Sequence, residues 1–226
     1  MQAGDQGSNV EYSSRMLRVR GKFITGLLIT AAVFVALELA GQTGSGLKAA
    51  PEPDANKQIK NIIHTDFYEV RGTNAAALLA SLRAHQMFTN HASTVWRVEW
   101  SFEYLPRPQE CILRSFNVRV VVRYLLPQWV DSQRADKALQ EEWNRYFGAL
   151  QVHESGHGGV GVGAGKEILR QVNSREWRAR DGKELKARLD EACEKILHEF
   201  RAREAAYDKM TDHGRTQGAH LRITRH

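Results

Sequence analysis

Two histidines and a glutamate in the second half of the chain have the types and spacing of a zinc site. His153, Glu154 and His157 form the pattern H-E-x-x-H. On an α-helix, residues at i and i+4 lie about 40° apart around the axis, so both imidazoles can reach one zinc ion at about 2.0–2.1 Å. Two histidines on a solvated helix face are the alternative interpretation, which the pattern alone does not exclude.

Glu154 is the candidate catalytic residue of this pattern. It is offset around the helix from the two histidines, where its carboxylate can meet a water molecule at the open position of the ion. From there it could take a proton from that water and return it to a leaving amine. The residue types therefore favour hydrolysis by a zinc-bound water that Glu154 activates.

A catalytic zinc ion needs a third protein ligand, and the candidates lie on a later helix. His213, in the segment YDKMTDHG, is the favoured residue, and Asp208 of the same segment is the alternative. Both can approach one ion only if the helix ends before His213, and Gly214 is a natural residue for that end. Tyr207 is a candidate hydrogen-bond donor to an oxyanion, although a core tyrosine is the more common role. Three glutamates would also suit a site with two histidines: Glu194, Glu199 and Glu204.

The stretch around and after the histidines is rich in glycine. Gly156, Gly158 and Gly161 fit G-x-G-x-x-G, and the stretch ends in a partial Walker A pattern at Lys166. A phosphate loop of the first kind needs a strand before it, whereas the preceding residues have a helical pattern. The residue after Lys166 is a glutamate where Walker A requires serine or threonine, so we reject both phosphate loops. Each glycine costs a helix up to about 1 kcal/mol relative to alanine, so the stretch is either a tightly packed continuation of the helix or its end.

The strands that must position these residues are predicted from alternation. Residues 67–70 form a short predicted strand, followed by a helix up to Leu82. Residues 94–104 alternate between apolar and polar side chains, the pattern of a half-buried strand. Residues 111–126 form a longer strand, predicted to be its antiparallel partner and to end at Pro127.

Two long helices are predicted in the second half of the chain, from apolar residues three and four positions apart. The first begins near Ser132 and runs into His153, and the second covers roughly 182–211. Strands followed by long helices are typical of an α+β domain. We therefore predict a small antiparallel sheet packed with two long helices, one of them a zincin-like H-E-x-x-H helix.

The N-terminal segment indicates export. Four cations precede an apolar run over residues 23–37, which is typical of an export signal. The run is short for a spanning helix, which needs about 20 apolar residues, but the cleavage pattern near Ala40 is poor. An uncleaved inner-membrane anchor through residues 23–40 therefore stays open beside a cleaved signal. Either way we expect the rest of the chain to be periplasmic or secreted.

The predicted organisation has four parts. Residues 1–40 are the signal or anchor, 41–58 a flexible linker, 59–214 a metallopeptidase-like domain and 215–226 a polar tail. A chain of 226 residues suffices for one core with short appendages. The net charge is +6, but the basic residues are spread along the chain without a nucleic-acid-binding motif. Nucleic acid is therefore not an expected partner.

Two cysteines, Cys111 and Cys193, lie far apart in the sequence. In an oxidising compartment they can form a disulfide, and two buried free thiols are the alternative. Because the chain carries an export signal, we favour the disulfide.

These motifs resemble a known family, the bacterial exported proteins of the domain DUF922, which are inferred to be secreted zinc-dependent proteases. The resemblance covers about 67–214, most of the exported part, and the cysteine positions are also similar. It implies a metallopeptidase-like fold with zinc-type residues at both ends of a two-helix unit, and it implies no substrate. The glycine run after His157 departs from the family, which has better helix formers there. The segments that carry the resemblance are YEVRGTNAAALLASL from Tyr68, TVWRVEW from Thr94, LPQW from Leu126, HESGH from His153 and YDKMTDHG from Tyr207.

The combined expectation is an exported hydrolase that depends on Zn²⁺ and acts on a peptide or protein substrate. The alternative is a non-catalytic envelope protein or binding module with the same fold, in which any zinc would be structural. Structural zinc sites fill all four positions with protein ligands, typically including cysteines. Here both cysteines are assigned to a disulfide, which favours the enzyme.

Overall fold

The computed structural model describes residues 56–85 and 91–222. The predicted signal or anchor and most of the predicted linker lie outside the described residues. Within the described ranges, none of the helices combines the length and hydrophobicity needed to cross a membrane.

The described residues fold into a four-stranded sheet and three α-helices, which confirms the α+β class. The strands are β1 (Asn56–Val70), β2 (Ser93–Pro106), β3 (Cys111–Trp129) and β4 (Arg178–Ala179), and the α-helices are α1 (Ala75–Ala84), α2 (Lys137–Asn173) and α3 (Gly182–Thr211). Within the same residues, short 3₁₀ helices lie before α2, at Ser132–Arg134, and after α3, at Arg215–Gln217.

The sheet is mixed, and not antiparallel as expected. β3 is its central strand: β2 and β4 pair with it antiparallel, whereas β1 pairs with it in parallel. The order along the sheet is β1-β3-β2, so β1 and β2 are not neighbours although they are consecutive. A parallel pair needs a long crossover connection, and here α1 and β2 together supply it between β1 and β3.

Two strand boundaries differ from the prediction. β1 begins at Asn56, well before Phe67, and therefore includes the last residues of the predicted linker. Pro127 lies inside β3, which continues to Trp129. The pairing of β2 with β3 ends at Ser93 and Leu125, so β3 has a neighbour on one side only beyond that point. A residue without an N–H group is tolerated where a strand has an unpaired side.

α2 and α3 pack against one face of the sheet. Phe116, Val118, Val120 and Val122 occupy alternate positions of β3 and are almost completely buried, whereas Asn117 and Arg119 between them are exposed. The buried side chains form one cluster with Ile168 of α2 and with residues of α3. This arrangement holds the middle of α2, where the H-E-x-x-H pattern lies, firmly on the sheet.

The glycine stretch stays helical: α2 runs without a break from Lys137 to Asn173. Its glycines face neighbours that leave no room for a side chain. A Cβ atom at Gly161 would lie 2.5 Å from Cγ of Trp96, and Cβ atoms at Gly158 and Gly165 would clash with side chains of β3. The glycines therefore let α2 approach the sheet more closely than other residues would, which offsets their unfavourable helix propensity.

Cys111 and Cys193 are both buried in the main core cluster as free thiols. Burial raises the pKa of the Cys193 thiol to about 12, so this side chain is protonated and unreactive at neutral pH. No bond joins the two sulfur atoms in the structure, and the disulfide stays a prediction for the oxidised protein.

Candidate metal centre

α2 presents two histidine rings to the same point. Asp136 caps the start of the helix by accepting a hydrogen bond from the backbone N–H of Leu139. One turn apart on the buried side of this helix, His153 and His157 are 2% and 8% exposed. Their rings are almost perpendicular, and the two Nε2 atoms lie 3.3 Å apart. The spacing predicted from the sequence thus brings two nitrogen donors together.

α3 adds a carboxylate to the two nitrogens. Oδ1 of Asp208 lies 3.1 Å from Nε2 of His157 and 3.4 Å from Nε2 of His153. In a tetrahedral zinc site with bonds of about 2.0–2.1 Å, neighbouring donor atoms lie about 3.3–3.4 Å apart. The three donors form a triangle of that size, so the residues fit a metal ion.

The favoured third residue, His213, is not a member of this group. α3 ends at Thr211, and Asp212 and His213 adopt left-handed backbone conformations. The helix therefore ends before His213, as expected, but the side chain of His213 is 55% exposed and its Nδ1 lies 3.6 Å from Oδ1 of Asp208. Asp208, the alternative candidate, is the residue that the structure brings to the two histidines.

Glu204 borders the cluster from the preceding turn of α3. Its Oε1 lies 3.3 Å from Nδ1 of His157, which is a buried nitrogen. Burial by itself lowers the pKa of His157, but Glu204, Asp208 and Glu154 together raise it more, so the net shift is upward. These carboxylates therefore surround His157 with negative charge, which also favours a bound cation. Glu194 and Glu199 are outside the group of three.

Tyr207 and Gln217 orient His153. The ring of Tyr207 stacks on that of His153 with 5.4 Å between centroids, and its hydroxyl donates to the carbonyl of His153 at 3.2 Å. Oε1 of Gln217 lies 3.0 Å from Nδ1 of His153. If Nδ1 donates this hydrogen bond, Nε2 keeps its lone pair for a metal. The hydroxyl of Tyr207, our candidate oxyanion donor, is thus already engaged within the site.

Gln217 was not predicted from the sequence, because it lies in the segment expected to be a polar tail. This segment is held in place by Arg145 of α2, which donates hydrogen bonds to the carbonyls of Gly218 and His220 at 2.8 and 2.6 Å. Gly214, with a φ of 82°, lies directly against the ring of His153, so that a Cβ atom would be 2.8 Å from Cγ. No sequence signal within the tail itself points to these contacts.

Glu154 is buried next to the cluster, at 3% exposure. Its Oε2 accepts a hydrogen bond from Oγ1 of Thr94 at 2.5 Å, which ties the glutamate to β2. Burial raises the pKa of Glu154, although the hydrogen bond from Thr94 and the charges of the two histidines oppose the shift. A carboxylate with a raised pKa is a stronger base than a solvated one.

The arrangement combines a metal-sized triangle of donors with a buried carboxylate on the same helix. Two imidazoles and one carboxylate are a donor set used by catalytic zinc ions, which keep one position open. Among the described residues, the group contains no cysteine.

A family model described as "Bacterial protein of unknown function (DUF922)" matches residues 65–214. This range contains α1, α2, α3, β2, β3 and β4, and it contains β1 only from residue 65 onward. No curated protein and no solved structure gives a significant match. Since the model covers most of the chain and the whole cluster of His153, His157 and Asp208, the chain belongs to the DUF922 family of bacterial proteins.

Proposed function

We propose that the chain is an exported, zinc-dependent hydrolase, and more specifically a metallopeptidase. The observation that carries this proposal is the convergence of two Nε2 atoms and one Oδ1 atom at spacings of 3.1–3.4 Å. His153, His157 and Asp208 would hold the ion. Glu204 and Gln217 would orient His157 and His153 through contacts with their Nδ1 atoms.

The ion would supply Lewis acidity toward a carbonyl oxygen and would lower the pKa of a water molecule. Glu154 is the residue of this chain that would move protons. Its carboxylate would accept a proton from the attacking water and pass it to the nitrogen that leaves. The hydrogen bond from Thr94 holds one carboxylate oxygen, Oε2, which leaves Oε1 for this transfer.

A non-catalytic envelope protein or binding module is the second candidate. In that case the ion would be structural, and its four positions would be filled by protein atoms. The group within the described residues offers three donors, which favours an open position and therefore the enzyme. The substrate class that follows is a peptide or protein in the periplasm or outside the cell.

The decisive variant is Glu154→Gln, which keeps the size of the side chain and removes its basicity. We expect the purified variant to bind about one zinc per chain, like the wild type, and to lose hydrolysis. Both proteins, with Glu141→Gln on the exposed side of α2 as a matched control, would be incubated with a periplasmic proteome and scored by new peptide N-termini. New N-termini produced equally by Glu154→Gln would contradict the proposed role, and their absence with the zinc-loaded wild type would favour the binding module.

A further inference from the structure

β1 forms one edge of the sheet. Within the described residues it pairs only with β3, and no other strand lies beside it. The strand is 15 residues long, contains no proline, and its register with β3 runs from Asn56 to Val70 without a bulge. Proline, bulges, short length and charged side chains, lysine above all, protect edge strands from pairing. β1 lacks the first three, and its protection within one copy rests on its charged residues such as Lys57 and Lys60.

The same edge exposes large apolar side chains. Ile63 is 58% exposed and Phe67 is 54% exposed. They pair in register with Val122 and Leu126 of β3, both buried, so they lie on the face of the sheet that carries the helices. Apolar side chains beside the free N–H and C=O groups of an edge strand provide a surface on which a second strand can pair.

We propose that β1 pairs antiparallel with β1 of a second copy of the chain, about a two-fold axis through Ile63. The sequence of β1 is complementary to itself in this register. Lys60 lies opposite Asp66 of the second copy, and Ile59 lies opposite Phe67 of the second copy. Because the axis is two-fold, each of these pairs occurs twice, as in any isologous interface.

Neighbouring registers lack this complementarity. A register shift keeps the apolar side chains on one face only if one strand moves past the other by an even number of residues. Moving the two-fold axis by one residue along β1 produces a shift of two residues. With the axis moved from Ile63 to Ile62, Lys60 would face His64 and Ile59 would face Thr65.

With the axis moved to His64, the same two residues would face Tyr68 and Glu69. Opposite charges directly across two strands stabilise the pair, and like charges destabilise it. The register centred on Ile63 is therefore the favoured one.

Lys60 and Asp66 carry the charge argument. Both are exposed, and neither forms an ion pair within the part of the chain that the structure describes. The outer pair in this register, Lys57 with Glu69, already has contacts within one copy. Lys57 donates a hydrogen bond to the carbonyl of Val172, and Glu69 forms an ion pair with a neighbouring arginine. Lys60 and Asp66 are therefore the charged residues that gain an ion-pair partner when the dimer forms.

A charge-reversal experiment on the full-length chain tests the proposal. We expect the wild type to sediment as a dimer and both Lys60→Glu and Asp66→Lys to raise the dimer dissociation constant about tenfold or more, because each creates two like-charge pairs. The double variant Lys60→Glu/Asp66→Lys restores opposite charges and should return the constant to within about threefold of the wild type. The control Lys166→Glu reverses a charge at an exposed position of α2 and should leave the dimer dissociation constant unchanged.

Cross-linking tests the position of the axis. Ile63→Cys would place two thiols across the axis, with Cα atoms about 4.5–5.5 Å apart, within the range of a disulfide. Thr65→Cys is the matched control, because in this register the two copies of residue 65 lie about 13 Å apart. A monomeric wild type, a double variant as weak as the single ones, or equal cross-linking at positions 63 and 65 would overturn the proposal.

Discussion

The side chain of Gln217 connects the C-terminal 3₁₀ turn to the candidate metal centre: its Oε1 lies 3.0 Å from Nδ1 of His153. Its Nε2 donates to the hydroxyl of Tyr207 at 3.1 Å. One amide therefore holds both the histidine and the tyrosine that stacks on it.

Removal of this amide should weaken metal binding without unfolding the protein. We expect Gln217→Ala to lower zinc affinity about 10–100-fold, the usual effect of losing a group that orients a ligand. Gln217→Glu keeps an acceptor oxygen and should retain most of the affinity. Competition with a chromogenic chelator gives the affinities, and circular dichroism checks the fold. A zinc affinity of Gln217→Ala equal to that of the wild type would contradict the orienting role of Gln217.

Asp208 and His213 can be ranked as ligands by their alanine variants. We expect Asp208→Ala to lose far more than the roughly 100-fold expected for a supporting residue, because its Oδ1 lies 3.1 and 3.4 Å from the two histidine nitrogens. His213→Ala should change the affinity little, because its ring is largely exposed. Zinc content after dialysis gives a direct comparison. The opposite ranking would restore His213 as the third ligand.

Replacement of two glycines of α2 by alanine should change the stability of the fold in opposite directions. A Cβ atom at Gly159 would meet nothing within 4 Å, so Gly159→Ala should stabilise the fold by roughly 0.5–1 kcal/mol through helix propensity. At Gly161 the Cβ atom would lie 2.5 Å from Cγ and 2.7 Å from Cβ of Trp96. We expect Gly161→Ala to cost about 1–3 kcal/mol by overpacking. Urea unfolding measures both, and equal effects would contradict the close packing of α2 on β2.

The ion pair of Glu142 and Arg145 should make stability depend on pH. The hydrogen bonds from Arg145, at 2.8 and 2.7 Å, are the main reason why the pKa of Glu142 lies below its ordinary value of 4.5. A depressed folded-state pKa contributes stability that is complete above the unfolded-state pKa and is lost as the pH falls through the folded-state value. We therefore expect Glu142→Gln to be less stable at neutral pH.

The same substitution should reduce the loss of stability in acid. As the pH falls through and below the ordinary value of 4.5, the free energy of unfolding of Glu142→Gln should fall less steeply than that of the wild type. Urea titrations at several pH values provide the two curves. Parallel curves would mean that the ion pair contributes nothing to the acid sensitivity of the fold.

Local sequence patterns determined most of the secondary structure and the meeting of the two histidines. The bounds of α3, Gly182–Thr211, agree with the prediction from apolar spacing, and Asp181 caps its start. The two histidines of α2 meet because i and i+4 share a helix face, which depends on the helix alone. β2 and most of β3 were likewise predicted, since the alternation of a half-buried strand is a local signal.

Packing between distant segments decided the rest. β1 is an edge strand with exposed residues on both faces, so its sequence lacks the alternation that would have predicted it before Phe67. The glycine stretch stays helical because the sheet takes the space of the missing side chains, which no propensity scale includes. That Asp208 and not His213 lies beside the two histidines depends on where α3 packs against α2 and on the left-handed turn that ends α3. The sequence therefore determined which residues could bind a metal, and only the tertiary structure decided which of them meet, because donor atoms must converge within a few ångströms and that depends on contacts between segments far apart in the chain.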